Sequence, residues 1–348
     1  MITLEGNNLT FRFPEVHESA KTVMQFQRTL RIPDDGKHYP LPPGLGAFAL
    51  RHVEDFADRV PEGWRERAGV MMPLYQAEAM WISFSGSWRT RGSYPCAVKV
   101  AAGKINAISG KPWKPELDGS ERDYVVVPEQ PWLDGFCVAK DVIRQFVAMP
   151  LGSGYSIEEQ ITGKPEHGGL QFIVYPMLRE RYAALLQRRE RSLVTSAVAS
   201  AGSGMLMYRA AAPARAMGLA AGGRMRQQIY ADPHGLDAWD QSVSNRCFVT
   251  LVDALQWREI TGEVPPTKPL TAADYTKAGL PWFDYYAADL ETLGGAPTLA
   301  LAKSVAEMAA EKGEQVLGAD GEVNPDTIIS IGPGETAHPK APPRESKR

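Results

Sequence analysis

The sequence predicts an α+β protein with a predominantly antiparallel, β-rich core and a few helices in its C-terminal half. Two observations predict it. Strand-like runs crowd the first 175 residues, separated by turn signals at intervals too short for crossover helices, which argues against a doubly wound parallel sheet. Apolar spacings of three and four, the helical period, gather after Leu178 instead.

Met24 to Ile32 alternates, with Phe26, Arg28, Leu30 and Ile32 on one face and Gln25, Gln27, Thr29 and Arg31 on the other, as in a half-buried strand. IPDDGKHYPLPPGLG then carries four prolines and three glycines, which block helix and ladder alike and predict a long ordered loop. Arg51 to Arg59 spaces Val53, Phe56 and Val60 as a short helix does. Strands are expected at Ala79 to Phe84, Ala97 to Ala101, Ile105 to Ile108, Tyr124 to Val127, Val142 to Met149 and Leu170 to Tyr175, with a hairpin turning near Gly103. Leu178 to Ser200 reads as helix and Arg246 to Val252 as strand. Thr271 with Asp274 resembles a capping box, and Thr298 is placed to cap a helix through Leu301, Val305 and Met308. A last strand is expected within Asp326 to Ile331. The expected organisation is a β-rich part over 1–177, an arginine- and alanine-rich helical insert or connection over 178–226, a mixed part over 227–331 sharing the core, and a disordered tail over 332–348.

A chain of 348 residues, 44% hydrophobic and 23% charged, has enough apolar side chains for a sizeable core. Its formal charge of −3 gives no whole-chain basic footprint for nucleic acid. That figure is a cancellation. Leu178 to Arg226 holds nine arginines, no lysine, no aspartate and two glutamates, a formal +7, so the other 299 residues carry −10. Arg179, Arg188, Arg189 and Arg191 run beside Tyr182, Leu185, Leu186 and Leu193, an amphipathic arrangement suited to an acidic protein surface, to self-association or to peripheral contact with anionic lipid. The same residues suit a solvated helix whose arginine stems cover the sheet. With only Tyr182 and Tyr208 as aromatics, the segment is a poor platform for single-stranded nucleic acid.

Cys96, Cys137 and Cys247 are odd in number and widely spaced, which argues against a disulfide framework. Met1 to Phe13 lacks the basic and continuously apolar regions of a secretory signal, so a cytoplasmic setting is expected. The 17 uncharged residues between Arg191 and Arg209 reach the lower length limit of a membrane span, but their serines and glycines keep hydrophobicity low.

Common catalytic signatures are absent from the sequence. After Gly152 and Gly154 the third glycine of a dinucleotide fingerprint is Ile157; after Gly202 and Gly204 it is Met207. No P-loop or nucleophile elbow occurs. His52, Glu54 and Cys96 imitate the start of a zinc deaminase signature, but Lys99 stands where the second thiolate belongs. No cofactor or metal is expected.

The densest polar cluster is GGRMRQQIYADPHGLDAWD. Arg224 and Arg226, two apart on a strand, share a face and suit a carboxylate or phosphate. Asp232 and His234 suit acid–base chemistry, and with Asp237 and Asp240 a divalent cation. Alternatively these aspartates cap turns and pair with the arginines. A second cluster joins Trp132 and Asp134, on a loop, with Arg144 as an aromatic and charged wall for a small ligand, or as a plug for the end of the sheet. Glu78, Lys99 and Lys104 form a third, which also reads as cross-strand charge pairing.

QRTLRIPDDGKHYPLPPGLG, VPEQPWLDG, VIRQFVAMPLGSGY, EEQITG, GGLQFIVYP, GGRMRQQIYADPHGLDAWD and WREITG followed by GLPWF together resemble a family of uncharacterised bacterial proteins, over roughly residues 27 to 285. The resemblance implies a bacterial, cytoplasmic setting and assigns no activity or catalytic residue. The expected function is therefore a non-enzymatic binding or assembly protein that docks an acidic partner through its arginine-rich segment. The alternative is an enzyme acting on a small anion, with Arg224 and Arg226 as clamp and His234 and Asp232 as acid–base pair.

Overall fold

The computed structural model describes residues 1–84, 94–120, 122–192, 216–264, 282–285, 287, 289–315, 325 and 328–331. The strands of the N-terminal third are β1 (Ile2–Glu5), β2 (Asn8–Arg12), β3 (Lys21–Thr29), β4 (His38–Tyr39), β5 (Arg51–His52), β6 (Val70–Leu74), β7 (Ala79–Ser83) and β8 (Cys96–Ala102). There follow β9 (Ile105–Asn106), β10 (Val125–Val127), β11 (Trp132–Leu133), β12 (Gly135–Ala139), β13 (Val142–Pro150), β14 (Leu170–Pro176), β15 (Ala216–Arg226) and β16 (Asn245–Asp253), then the separate parallel pair β17 (Trp282–Tyr285) and β18 (Ile328–Ile331). The helices are α1 (Glu62–Arg67), α2 (Ile157–Thr162), α3 (Arg179–Ser192), α4 (Ala254–Thr261), α5 (Pro297–Leu301) and α6 (Val305–Lys312).

One sheet runs in the order β1-β2-β3-β7-β13-β15-β16-β14-β8-β10, with the short strands attached along it. Among the described residues its pairs are antiparallel, apart from β4 with β15 and β6 with β16. The fold is therefore α+β with a mostly antiparallel sheet. It spans the expected N- and C-terminal parts, since β16 pairs with β14 and β6. The sheet curls over its own inner face: Phe26 on β3 and Phe172 on β14 bring their rings to 5.7 Å. The Met1 ammonium donates to Asn245 Oδ1 at the start of β16, and Asn245 Nδ2 to the Arg12 carbonyl. Inside lie Phe11, Phe26, Phe136, Phe146 and Phe172, all fully buried, beside many valines and alanines. Two smaller clusters pack elsewhere, one around Trp64 and Trp257, the other joining Val305 and Ala309 of α6 to Val147, Met149 and Ala220.

The other expected strands fall within a residue or two of their places, but β3 lies three residues earlier than Met24 to Ile32, and β1, β2, β6 and β12 had no expected counterpart. Gly103, with a φ of +56, turns the β8–β9 hairpin, which pairs Ala102 with Ile105. Three expectations are corrected. Arg51 to Arg59 is not one helix, because β5 ends at His52 and the turn Glu54–Arg59 is 3-10, broken at Phe56. Thr298 is not an N-cap; Ala296 holds that place and Thr298 Oγ1 donates to the Gly110 carbonyl. The expected helix splits before Ser304, which caps α6 in a box with Glu307. The third correction concerns 178–226, expected as a helical insert or connection. It is helical over Arg179–Ser192, but 216–226 form β15, which lies between β13 and β16 in the sheet. Thr271 with Asp274, the uncharged stretch before Arg209 and the tail 332–348 lie outside the described residues. Among the described residues no helix is long and apolar enough to cross a membrane.

Small residues let other segments lie flat on β15. A methyl group on Gly223 would stand 2.4 Å from the Pro33 carbonyl oxygen and 2.8 Å from that of Ile32; one on Gly222 would stand 2.6 Å from Val147 Cγ2. The segment crossing Gly223 is held by the fully buried Gln145, whose amide accepts from Ile32 N and donates to the Leu30 carbonyl, both at 2.8 Å. Backbone cannot yield as a flexible side chain would. Gly223→Ala is therefore expected to destabilise the protein by about 1–3 kcal/mol, read as a lowered urea midpoint with an unchanged slope.

Candidate anion-binding site

β13 and β15 pair Val142 with Arg226, Ile143 with Met225 and Arg144 with Arg224. A bulge follows, after which Phe146 faces Ala221. Ile143 and Met225 are fully buried in the core, so Arg144 and Arg224 stand side by side on the opposite face. Like charges directly opposite on neighbouring strands repel, and each needs a counter-charge. Arg144 has one: it is buried, and its Nη1 and Nη2 donate to Glu307 Oε2 and Oε1 at 2.9 and 3.3 Å. Asp34, brought over the strands by the segment after Ile32, has its Oδ2 3.9 Å from Arg144 Nη1. That oxygen is buried and accepts no hydrogen bond from the described residues.

Burial raises the Asp34 carboxyl above its ordinary range, against the attraction of Arg144 and with repulsion from Glu307. Burial would raise Glu307 as well, but the Ser304 N–H and Arg144 outweigh it and hold that carboxyl low. Arg224 is half-buried and makes no hydrogen bond or ion pair with the described residues; it acts on Asp34 through the field alone. His38, its partner on β4, is exposed at the rim.

The expected clamp of Arg224 with Arg226 does not form as such. Arg226 is exposed and forks onto Asp284 of β17, Nε to Oδ1 at 3.3 Å and Nη2 to Oδ2 at 3.1 Å. Arg144 is the neighbour Arg224 has in its place. The second expected cluster also divides: Trp132 packs edge-on against Trp81 at 6.3 Å, and Asp134 is buried against Gln227, which donates Nε2 to Oδ2 at 2.6 Å. Of the third, Glu78 is bound by Arg28, Lys99 by Asp123 and the Glu116 carbonyl, and Lys104 by Glu166.

Asp232 and His234 do not form an acid–base pair. The Asp232 carboxylate accepts from the His234 backbone N–H at 2.8 Å, from Tyr124 OH at 2.7 Å and from Trp239 Nε1 at 2.8 Å. This is the turn-capping alternative. The imidazole lies instead with Nε2 3.5 Å from Glu129 Oε1. Tyr124 and Asp232 border a cleft of about 170 Å³ rimmed by the ion pair of Arg122 with Glu291, smaller than the roughly 300–1,000 Å³ of small-molecule pockets. No cluster suited to a metal ion occurs among the described residues.

On α3, Arg179 Nε donates to the Val16 carbonyl and Arg181 pairs with Asp237. Tyr182 is buried against Tyr94 at 4.2 Å, with Leu185 and Leu186 packed on the core. The helix thus lies on the body. Arg188 is exposed, and the side chains of Arg189 and Arg191 lie outside those described. No protein-family model, curated protein or solved structure matches the chain.

Sequence reasoning missed Asp34 and Glu307. A signal existed for Glu307, since Ser304 to Glu307 spells the Ser-x-x-Glu of a capping box. Asp34 offered no comparable pattern beyond its place after Pro33.

Among the described residues Asp134 has no ion-pair partner, and burial, against the Gln227 bond, pushes its carboxyl up to about 7. The folded state therefore keeps a proton that the unfolded chain releases near pH 4, and stability falls as pH rises from about 4 to 7 through this group. Asp134→Asn keeps an acceptor for Gln227 without the charge. It is expected to gain on the order of 2–4 kcal/mol over the parent at pH 8 and almost nothing at pH 4, measured by urea unfolding across pH.

Proposed function

We propose that the protein binds a small anion on the outer face of the β13–β15 ladder, between Arg144 and Arg224. The observation that carries this reading is the half-buried Arg224 guanidinium, which has no hydrogen-bond or ion-pair partner among the described residues although it stands directly opposite a second, buried guanidinium. A planar fork with five donors is suited to bidentate capture of a carboxylate or phosphate, and such an anion relieves the repulsion between the two arginines. Docking of an acidic partner through α3 has weaker support, because Arg179 and Arg181, though exposed, are engaged by the Val16 carbonyl and by Asp237, which leaves Arg188 among the arginines of that helix whose side chains are described. The enzymatic alternative loses its acid–base pair, since the Asp232 oxygens are occupied by Tyr124, Trp239 and a backbone N–H. A reducing, cytoplasmic setting suits three cysteines that are all free and buried.

The test is thermal unfolding with sodium acetate or sodium phosphate against sodium chloride at equal ionic strength. A site occupied at ten times its dissociation constant adds about 1.4 kcal/mol, a rise on the order of 1–3 °C for a chain of this size. The rise is expected in the parent and in Arg226→Ala, and is expected to vanish in Arg224→Ala. No anion-specific rise in the parent, or one that persists in Arg224→Ala, overturns the reading.

A further inference from the structure

Glu307 is held in an unusual way for a helix-capping residue. Both of its oxygens meet the Arg144 guanidinium in a fork, yet the Glu307 side chain is 50% exposed and that of Arg144 only 4%. The carboxylate thus arrives from the solvent side and plugs a cation set in the sheet. It rides on the first turn of α6, where its Oε2 also accepts from Ser304 N at 2.5 Å. α6 is a short helix, seated on the sheet mainly by Val305 and Ala309 and separated from α5 by Ala302, Lys303 and Ser304. Beside the plugged cation lie Asp34 Oδ2 and Arg224, neither of which makes a hydrogen bond among the described residues.

We infer that Glu307 is an internal stand-in for the ligand: the ligand carries a carboxylate, and it binds by displacing the Glu307 carboxylate from Arg144 while engaging Arg224. This rests on the anion-binding reading of the same face. The side chain already seated on Arg144 is a carboxylate in planar fork geometry, which defines the chemistry of the group that replaces it. A tethered carboxylate competes at a high effective concentration, in the millimolar range or above, so the free site is masked until ligand outcompetes it. Displacement costs α6 its Arg144 contact and loosens its first turn.

Acetate is the probe, with inorganic phosphate as comparator, titrated while the Nε–Hε resonances of Arg144 and Arg224 and the hydrogen exchange of residues 305–312 are followed. Acetate is expected to shift both arginines and to speed exchange in the first turn of α6. Glu307→Gln is expected to bind acetate at least tenfold more tightly. Glu311→Gln, which removes the same charge from the same helix but frees only Lys303, is expected to stay within twofold of the parent. Should α6 lose protection in Glu307→Gln without acetate, Glu307→Asp takes its place; the shorter side chain keeps the charge but loses the reach to Arg144, so it too is expected to tighten acetate binding. Equal affinities in the Glu307 and Glu311 variants overturn the displacement, as does tighter binding of phosphate than of acetate. If neither anion moves the Arg224 resonance in any variant, the anion site itself fails. If Arg224→Ala abolishes binding while the Glu307 variants leave it unchanged, only the displacement fails.

Discussion

The β13–β15 ladder is the constraint on which the rest of the molecule hangs. It joins the strands before and after α3, and its register fixes what each face presents. On the inner face it contributes Ile143, Phe146, Ala221 and Met225 to the main core. Gly223 lets the chain at Ile32 and Pro33 pass close, Ala220 on the outer face receives the helix α6, and the two arrivals bring two carboxylates to two arginines. Without that ladder the site has neither floor nor walls.

Several ionisable groups are buried here, and they are stabilised by different means. Arg28 donates Nε and Nη2 to Glu78, whose other oxygen takes the Tyr75 N–H. Glu158, almost wholly buried, is held by the backbone N–H groups of Lys104, His167 and Gly168. Removing one partner from such a pair costs more than the pair contributes, because a charge is left desolvated. Arg224 differs in kind, since it is half out of water and its counter-charge comes from no described residue. Asp134 solves the problem in a third way, by holding its proton.

Strand positions were legible because alternation and turn residues are local properties. Met24 to Ile32 shows this, with Phe26 and Arg28 buried and Gln25 and Gln27 half-buried as their alternation requires. Only the end of β15 was legible, as the strand carrying Arg224 and Arg226; Ala216 to Gly223 is mostly alanine and glycine, which carry little strand preference. Its smallness reflects what crosses it, a tertiary demand that local pattern does not record. For the site, Arg224 and Arg144 were each visible, but in separate clusters 80 residues apart. Their meeting depends on register, and Asp34 and Glu307 reach them from segments still farther along the chain. The turn at Asp232 shows the converse, since Asp-Pro followed by His-Gly is a local signal and its capping alternative is what the structure contains.

The bulge between Arg144 and Phe146 has an effect on permissible sequence change. Before it, even-numbered residues of β13 face outward; after it, Val147 and Met149 do. β15 supplies the extra residue, since Gly222 and Gly223 lie opposite the single Gln145, while Ala220, Arg224 and Arg226 keep one phase. Insertion and deletion of a single residue are therefore not equivalent at this point of the ladder. Inserting one residue beside Gln145 would restore one-to-one pairing with Arg144 still outward and Phe146 still inward, whereas deleting Gly222 or Gly223 would pair the strands one to one only by turning Arg144 or Phe146 onto the wrong face. The anion-facing arginine and the aromatic core are in this sense spelled in two reading frames of one strand, and the second glycine that β15 sets against Gln145 is the splice between them.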